Sequence, residues 1–291
     1  MPAPPPDARS FLAQALRLVP CGGAAAILTV RAPEALPTIR ASRFFMLRRE
    51  DGSAPLIPRP YSIYKQRGAE LDFLILRQGQ GSSSLLALQA GMPVRLIGPL
   101  GNGWPDLASP EPGAPEPGAS PPDWVLLAGG VGSAPFYMAI EQALAGTFGG
   151  PVPAHRLHFL FGARSRAQLY DLPAFEALGV PVHTATQDGS HGRRGHVLEL
   201  LESLQREGRI PATVRALACG PERMLEAVHA WSRRSGQPAY LSLETLMGCG
   251  VGICNGCPVP TDKRGPLRDW PNAKACVEGP VFRADAIELC H

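Results

Sequence analysis

Four cysteines stand near the end of the chain in the pattern Cys249-x4-Cys254-x2-Cys257-x18-Cys276, out of seven in all. Thiolates are soft metal ligands, and three on one short loop with a distant fourth is the spacing of a plant-type [2Fe–2S] centre. Such a loop has to turn sharply for its sulfurs to converge. Gly248, Gly250, Gly252 and Gly256 suit that need, and they leave room for backbone N–H groups to approach the sulfurs and offset their charge. A structural zinc site also takes four cysteines, but zinc ribbons favour two separate, closely spaced pairs. Cys21 and Cys290 read as bystanders.

Other stretches carry phosphate chemistry. In "RPYSIYK", Pro60 holds the chain extended, Arg59 offers a forked donor that matches phosphate, and Tyr61 and Ser62 present polar edges. Taken alone, the run is equally an ordinary strand start. In "RQGQGSSSLLAL", Gly79, Gly81 and Ser82 precede a short helical run, a turn at which phosphate can bind. "IGPLGNGW" reads equally as a further Gly-rich turn or a simple hairpin connection. "VLLAGGVGSAP" is strand, glycine turn and helix, and "ACGPERML" repeats that geometry later. Gly129, Gly130, Gly132, Gly220 and Pro221 sit at these turns, with Cys219 just before the second. Neither is the G-x-G-x-x-G fingerprint, and such turns also occur purely for packing. "GARSR" places Arg164 and Arg166 just after a strand, either as surface charge or where a 2′-phosphate could be accommodated.

The elements that must position these residues fall into two rhythms. "AAILTV", "RFFMLRR", "YSIYK", "LDFLILR" and "MPVRLIG" are short β-like runs separated by turns, which predicts a small antiparallel barrel. The one helix-like stretch among them is "ARSFLAQALRLV". From Trp124 onward strands alternate with helices, which predicts a parallel sheet covered on both faces. In the last of those helices Leu225, Val228 and Trp231 form a core-facing stripe. Between the halves, "LASPEPGAPEPGASPPD" reads as a flexible linker or insertion. The expected division is a β-barrel over 1–106, the linker over 107–123, an α/β domain over 124–240 and a cluster-binding lobe over 241–291.

Composition agrees with a folded multidomain protein. The 291 residues exceed a single core, and 45% hydrophobic against 18% charged residues supply apolar area for two. A net charge of +3 with no block of like charges argues against a nucleic-acid partner. The start of the chain lacks a signal-peptide pattern, and "WVLLAGGVGSAPFYMAI" is too broken by Gly, Ser and Pro to span a membrane. The expected setting is the reducing cytoplasm, where clustered cysteines bind metal or do redox chemistry.

Together "RPYS", "GGVGSAP" and "CGPERML" resemble the ferredoxin–NADP reductase superfamily. "GCGVGICNGC…ACVEGPVF" and "TQDGSHGRRGHV" narrow the resemblance to electron transfer subunits of class 1B dihydroorotate dehydrogenases. It covers nearly the whole chain except the linker and the first few residues. The resemblance implies that FAD is held by Arg59, Pro60, Tyr61, Ser62, Ile75, Leu76, Arg77, Gly81 and Ser82. It also implies that Gly129, Gly130, Gly132, Cys219, Gly220 and Pro221 face NAD(H), and that the four tail cysteines ligate the cluster. Cys219 would neighbour the hydride-transfer site; a packing role serves it equally. The implied partner is an FMN-containing dihydroorotate dehydrogenase catalytic subunit, two copies of each chain, in pyrimidine (UMP) biosynthesis. This chain shows no dihydroorotate site of its own. The alternatives are the small subunit of an NADH-dependent ferredoxin:NADP oxidoreductase, a hydrogenase-type reductase subunit, or a non-redox zinc-stabilised module. Three departures stand out: Ser82 where relatives more often carry threonine, the long 107–123 segment, and the long loop between Cys257 and Cys276.

Overall fold

The computed structural model describes residues 7–51, 55–109 and 122–289, so most of the 107–123 segment and Cys290 lie outside the described residues. The N-terminal half builds strands β1 (Arg9–Gly22), β2 (Ala25–Arg31), β3 (Phe44–Arg49), β4 (Arg59–Ser62), β5 (Lys65–Arg67), β6 (Glu70–Leu76) and β7 (Pro93–Leu100). A short helix, α1 (Gln80–Leu85), connects the last two. The sheet order is β4-β3-β7-β1-β2-β6-β5, antiparallel throughout. Laid flat, seven strands would put the outer two about 29 Å apart at roughly 4.8 Å per step. Yet β4 and β5 are joined by Ile63 and Tyr64 alone, whose reach is about 10 Å at most. The sheet therefore curls on itself. Ile63 N–H donates to Arg43 O on one edge and Tyr64 N–H to Asp72 O on the other.

The helix-like "ARSFLAQALRLV" is a strand, β1. Its Ala and Leu residues favour a helix locally, but it is hydrogen-bonded to β2 on one side and β7 on the other. Ala13 and Ala15 point inward, whereas Leu12 is 45% exposed, a period of two that only a strand satisfies. Two-sided pairing overrides propensity here.

The second half alternates as expected: β8 (Asp123–Gly129), α2 (Ala134–Ala145), β9 (Leu157–Ala163), α3 (Leu172–Glu176), β10 (Val182–Thr186), β11 (Arg193–Arg194), α4 (Val197–Arg206), β12 (Val214–Cys219), α5 (Glu222–Ser235) and β13 (Ala239–Ser242). These strands run parallel in the order β11-β10-β9-β8-β12-β13. Leu225, Val228 and Trp231 of α5 are buried against them. The cysteine-rich tail then makes a hairpin of β14 (Pro258–Pro260) and β15 (Asn272–Lys274) and returns as β16 (Val281–Arg283). β16 pairs antiparallel with β13, Ser242 opposite Val281. The whole cysteine segment is thus an excursion whose two ends are hydrogen-bonded to each other at one sheet edge.

The two halves are laced together. Gln142 of α2 accepts from Ala41 N–H through Oε1 (3.0 Å) and donates from Nε2 to Ile39 O (2.7 Å). Tyr64 Oη donates to Asp171 Oδ2 (2.6 Å), which also receives Lys65 Nζ at 3.2 Å. The "IGPLGNGW" turn clasps the tail: Asn102 Nδ2 donates to Glu278 O and Val281 O, while its Oδ1 accepts from Val281 N–H. No helix among the described residues is long and apolar enough to cross a membrane.

Candidate functional site

A cleft of about 550 Å³ opens where the barrel, the α/β sheet and the start of the cysteine segment meet. Its barrel wall is β4 itself, Arg59 to Ser62, with Phe44, Leu74, Leu76 and the turn Gln78–Ser82. The opposite wall is Val131, Gly132, Ala134, Pro135 and Cys219, and Leu243 to Met247 close the third side. Its lining mixes polar and apolar side chains, as suits a flat aromatic ligand with a charged tail.

The barrel wall can bind an anion. Among the described residues, Arg59 Nη1 donates only to the neutral carbonyls of Ile57 (2.9 Å) and Pro58 (3.3 Å), so none of their carboxylates offsets its charge through a hydrogen bond. Its stem lies against the first turn of α1: a Cβ on Gly81 would stand 3.0 Å from Arg59 Cγ. Ser82 Oγ accepts from Gln78 N–H (2.8 Å) and Gly79 N–H (3.1 Å), so this hydroxyl holds the turn closed. Burial pushes the Tyr61 phenol up to about 12, with Arg59 pulling the other way, so it stays a neutral donor. Ile75 does not reach the cleft. On β6, Leu74 and Leu76 face it, and Ile75, on the opposite pleat, is wholly buried in the core. Arg77 lies beyond the strand end, exposed and off the cleft wall.

The two glycine turns of the α/β half pack on one another. A Cβ on Gly132 would lie 2.4 Å from Cys219 O, and one on Gly129 would lie 2.7 Å from both Met224 Sδ and Pro221 Cδ. One on Gly220 would lie 2.9 Å from Gly129 Cα. Backbone contact therefore dictates glycine at Gly132 and Gly220, and the Met224 and Pro221 side chains crowd Gly129. Gly130 differs: its φ is +54° and nothing stands within 4 Å of its Cβ position, so that peptide is open. Of the predicted nucleotide residues, Gly132 and Cys219 line the cleft, while Gly129, Gly130, Gly220 and Pro221 form the turns behind it.

The run Glu244-Thr245-Leu246-Met247 escaped sequence reasoning because it carries no motif. The one available signal was its adjacency to Cys249. Among the described residues, Thr245 Oγ1 on the cleft wall is buried without a hydrogen-bond partner, a polar atom that a ligand in the cleft could satisfy. Desolvation raises the Glu244 carboxyl above its ordinary value. Burial, with Glu244 nearby, pushes the Cys219 thiol far up, so it is a neutral thiol.

Two residues past Met247 the cysteine loop begins. Cys257 Sγ and Cys276 Sγ lie 3.3 Å apart, both buried. Two thiolates on one tetrahedral metal with bonds of about 2.3 Å would sit about 3.8 Å apart. Cys249 Sγ accepts from the N–H groups of Val251 and Cys254, both at 3.4 Å, with Cys254 beside it. The sulfurs thus fall into two pairs. Two irons taking two thiolates each fit this arrangement. Burial opposes ionisation of Cys249, but the N–H groups of Cys254 and Val251 bring it down to about 7. Hydrogen bonding to Cys276 brings Cys257 down to about 6, and the same contact pushes the Cys276 thiol up. The loop geometry depends on glycine at Gly250 (φ +72°), where a Cβ would strike Met46 Cγ at 2.6 Å.

Comparisons with known proteins follow the same division. Residues 244–288 match a family model described as the iron-sulfur cluster binding domain of dihydroorotate dehydrogenase B, and residues 126–230 match an oxidoreductase NAD-binding domain. A dihydroorotate dehydrogenase B (NAD(+)) electron transfer subunit from Geobacillus kaustophilus is 33% identical over 237 residues, 81% of each chain. One from Enterococcus faecalis is 35% identical, covering 80% of this chain and 81% of that one. Among solved structures, the NADH-dependent reduced ferredoxin–NADP oxidoreductase of flavin-based electron bifurcation superposes with a TM-score of 0.77 at 21% identity, over 96% of this chain and 90% of that one. A ferredoxin NADP+ reductase from Neisseria gonorrhoeae, with bound FAD and NADP, gives 0.62 at 18% identity, over 78% and 92%. These two likenesses concern the fold.

Proposed function

Because the chain belongs to the family of dihydroorotate dehydrogenase B (NAD+) electron transfer subunits, we propose that it passes electrons between an FMN-containing dihydroorotate dehydrogenase catalytic subunit and NAD+, through a [2Fe–2S] cluster and FAD. That activity belongs to pyrimidine biosynthesis. The chain is the NAD(H)-oxidoreductase component, and the dihydroorotate site belongs to the partner. Flavin chemistry is what such a relay requires, since nicotinamide exchanges a hydride and an iron–sulfur centre exchanges single electrons.

The observation that carries this reading is the shared cleft. One cavity is bounded by β4, by the Gly132–Cys219 wall and by residues that run directly into Cys249. Arg59, with its stem against the first turn of α1, would bind the flavin's phosphate. Tyr61 and Ser62 would lie along its ring, and Leu74 and Leu76 would exclude water from it. Gly130 offers an open peptide at the end of β8, where the N-terminus of α2 favours a pyrophosphate. Gly132 and Cys219 leave a shallow, neutral wall for a nicotinamide ring. Thr245 Oγ1 supplies a hydroxyl that has no partner among the described residues. The pairs Cys249–Cys254 and Cys257–Cys276 would each hold one iron, with the N–H groups of Val251 and Cys254 stabilising the Cys249 thiolate.

Purified anaerobically, the protein should be yellow-brown and contain about two irons and two acid-labile sulfides per chain. NADH should bleach the flavin band. Zinc in place of iron, or a colourless protein, would remove the basis of this reading. The partner assignment includes a cytoplasmic complex with two copies of each chain. Co-purification with an FMN protein that oxidises dihydroorotate, at a mass matching two of each, tests it separately.

A further inference from the structure

Lys274 lies on β15, two residues before Cys276 and opposite Pro258, the neighbour of Cys257. Its backbone therefore belongs to the part of the tail that carries the Cys257–Cys276 pair. Its ammonium reaches further. Lys274 Nζ donates to Gly252 O at 2.9 Å, inside the loop that carries Cys249 and Cys254. The two segments also touch directly, since a Cβ on Gly252 (φ +85°) would stand 2.7 Å from Val277 Cγ2. One side chain thus spans from one sulfur pair to the other.

The carbonyl it holds matters because of the peptide that carbonyl belongs to. Gly252 O and the Ile253 N–H share one planar trans peptide, so fixing the carbonyl aims the N–H the opposite way. Against burial, the N–H groups of Cys254, Val251 and Ile253 favour the Cys249 thiolate. The Ile253 N–H thus serves the Cys249 sulfur while Lys274 grips the other end of the same peptide. A cation on the carbonyl also polarises that peptide and strengthens its N–H as a donor. The charge reaches the second pair as well. Hydrogen bonding to Cys276 favours the Cys257 thiolate most, and the Lys274 charge adds to it. Glu278 Oε2 accepts from the Lys274 backbone N–H at 2.6 Å and offsets part of this charge.

We propose that Lys274 is a positioning residue for the iron–sulfur site, fixing the Gly252–Ile253 peptide toward Cys249 and raising the reduction potential of the centre that the tail cysteines hold. Net charge and hydrogen bonds to sulfur are among the quantities that set such potentials. Reduction adds one negative charge, which a nearby cation stabilises. The proposal rests on the [2Fe–2S] reading given above and deepens it by naming what tunes that site.

Redox titration of the anaerobically purified chain, followed by the electron paramagnetic resonance of the reduced centre, tests it. In Lys274→Met the ratio of reduced to oxidised centre at a given potential should fall about tenfold, the scale of one charge-assisted hydrogen bond. For a one-electron couple that is a midpoint about 59 mV lower. Lys274→Arg keeps the charge and should stay close to the unaltered chain. The flavin midpoint, read by absorbance in the same titration, should not move. An unmoved cluster midpoint in Lys274→Met would overturn the proposal, as would a Lys274→Arg midpoint that falls as far. A flavin midpoint that shifts equally would also overturn it, since the effect would then be global. Should Lys274→Met fail to retain iron, Lys274→Gln against Lys274→Arg decides: a lower midpoint in Lys274→Gln supports the proposal and equal midpoints overturn it. Zinc in the tail overturns this proposal and the electron-transfer reading together. An iron–sulfur centre whose midpoint ignores Lys274 overturns this proposal alone.

Discussion

Ser42 and Ser242 share a buried hydrogen bond, their hydroxyl oxygens 2.9 Å apart across the junction of barrel and α/β sheet. Ser242 is the β-sheet partner of Cys219, so this one contact ties the barrel to the cleft wall. Ser42 holds a left-handed backbone, φ +71°, which favours glycine. Ser42→Ala should therefore lower stability by about 1–2 kcal/mol, since a buried hydroxyl loses its partner. Ser42→Gly loses the same bond but relieves the backbone, and should cost less. Urea midpoints of the two variants compare them directly; equal loss would show that the left-handed backbone contributes nothing.

Among the glycines of the α/β turns, the positions should respond differently. Gly130→Ala meets no neighbour and has only its positive φ to contend with, about 1–2 kcal/mol. Gly132→Ala drives a methyl group into Cys219 O and should cost clearly more, with loss of NADH-driven flavin reduction. Thermal unfolding and NADH titration of both read this out. The reverse order would mean that the turn packing has been misassigned.

Cys254 is the most exposed of the four cysteines in the tail pattern, and its replacement should leave the rest of the fold intact. Cys254→Ser should abolish electron delivery to a partner while NADH still reduces the flavin at near the original rate. Iron analysis and stopped-flow absorbance separate the two effects. Loss of both together would show that cluster and flavin sites are not independent.

His183 makes stability depend on pH in the acid range. Burial, then the positive charges of Arg209 and His158, lowers it from 6.5 to about 4. Above 6.5 the ring is neutral in both states and has no effect. Between 6.5 and 4 the unfolded chain takes up a proton that the folded chain refuses, so stability falls as pH drops through that window. In His183→Gln this fall should be shallower when urea midpoints are compared from pH 7 to pH 4. Parallel curves for the two proteins would rule the effect out.

The Pro-rich segment should be dispensable to the fold. Its flanks, Ser109 O and Pro122 O, both accept from the Arg215 guanidinium, at 3.0 and 3.1 Å, so the two ends are already held together. Replacing residues 111–120 with a few Gly and Ser residues should shift stability by less than about 1 kcal/mol, because closure entropy changes slowly with loop length. A larger loss would assign that segment a packing role.

Much of the site was legible before folding because its chemistry is local. A cysteine at each of four positions, a glycine where a sulfur or a phosphate must be approached, and an arginine ahead of a proline are signals that neighbouring residues suffice to define. Ile75 shows the limit. Its strand was identifiable, but which pleat faces the cleft depends on the register of β2 against β6. Glu244 to Met247 were invisible for a related reason, since nothing in their types marks them as a wall shared with residues nearly two hundred positions earlier.

By itself the sequence carried the four-cysteine spacing, the alternation of strands and helices, and the glycine turns, because each is read from a few neighbouring residues. Only the tertiary structure decided that Arg9–Gly22 is a strand, that Asn102 closes on the tail, and that one cleft joins three separate parts of the chain. Those outcomes depend on hydrogen bonds and close contacts between distant segments, whose energies exist only once the segments meet.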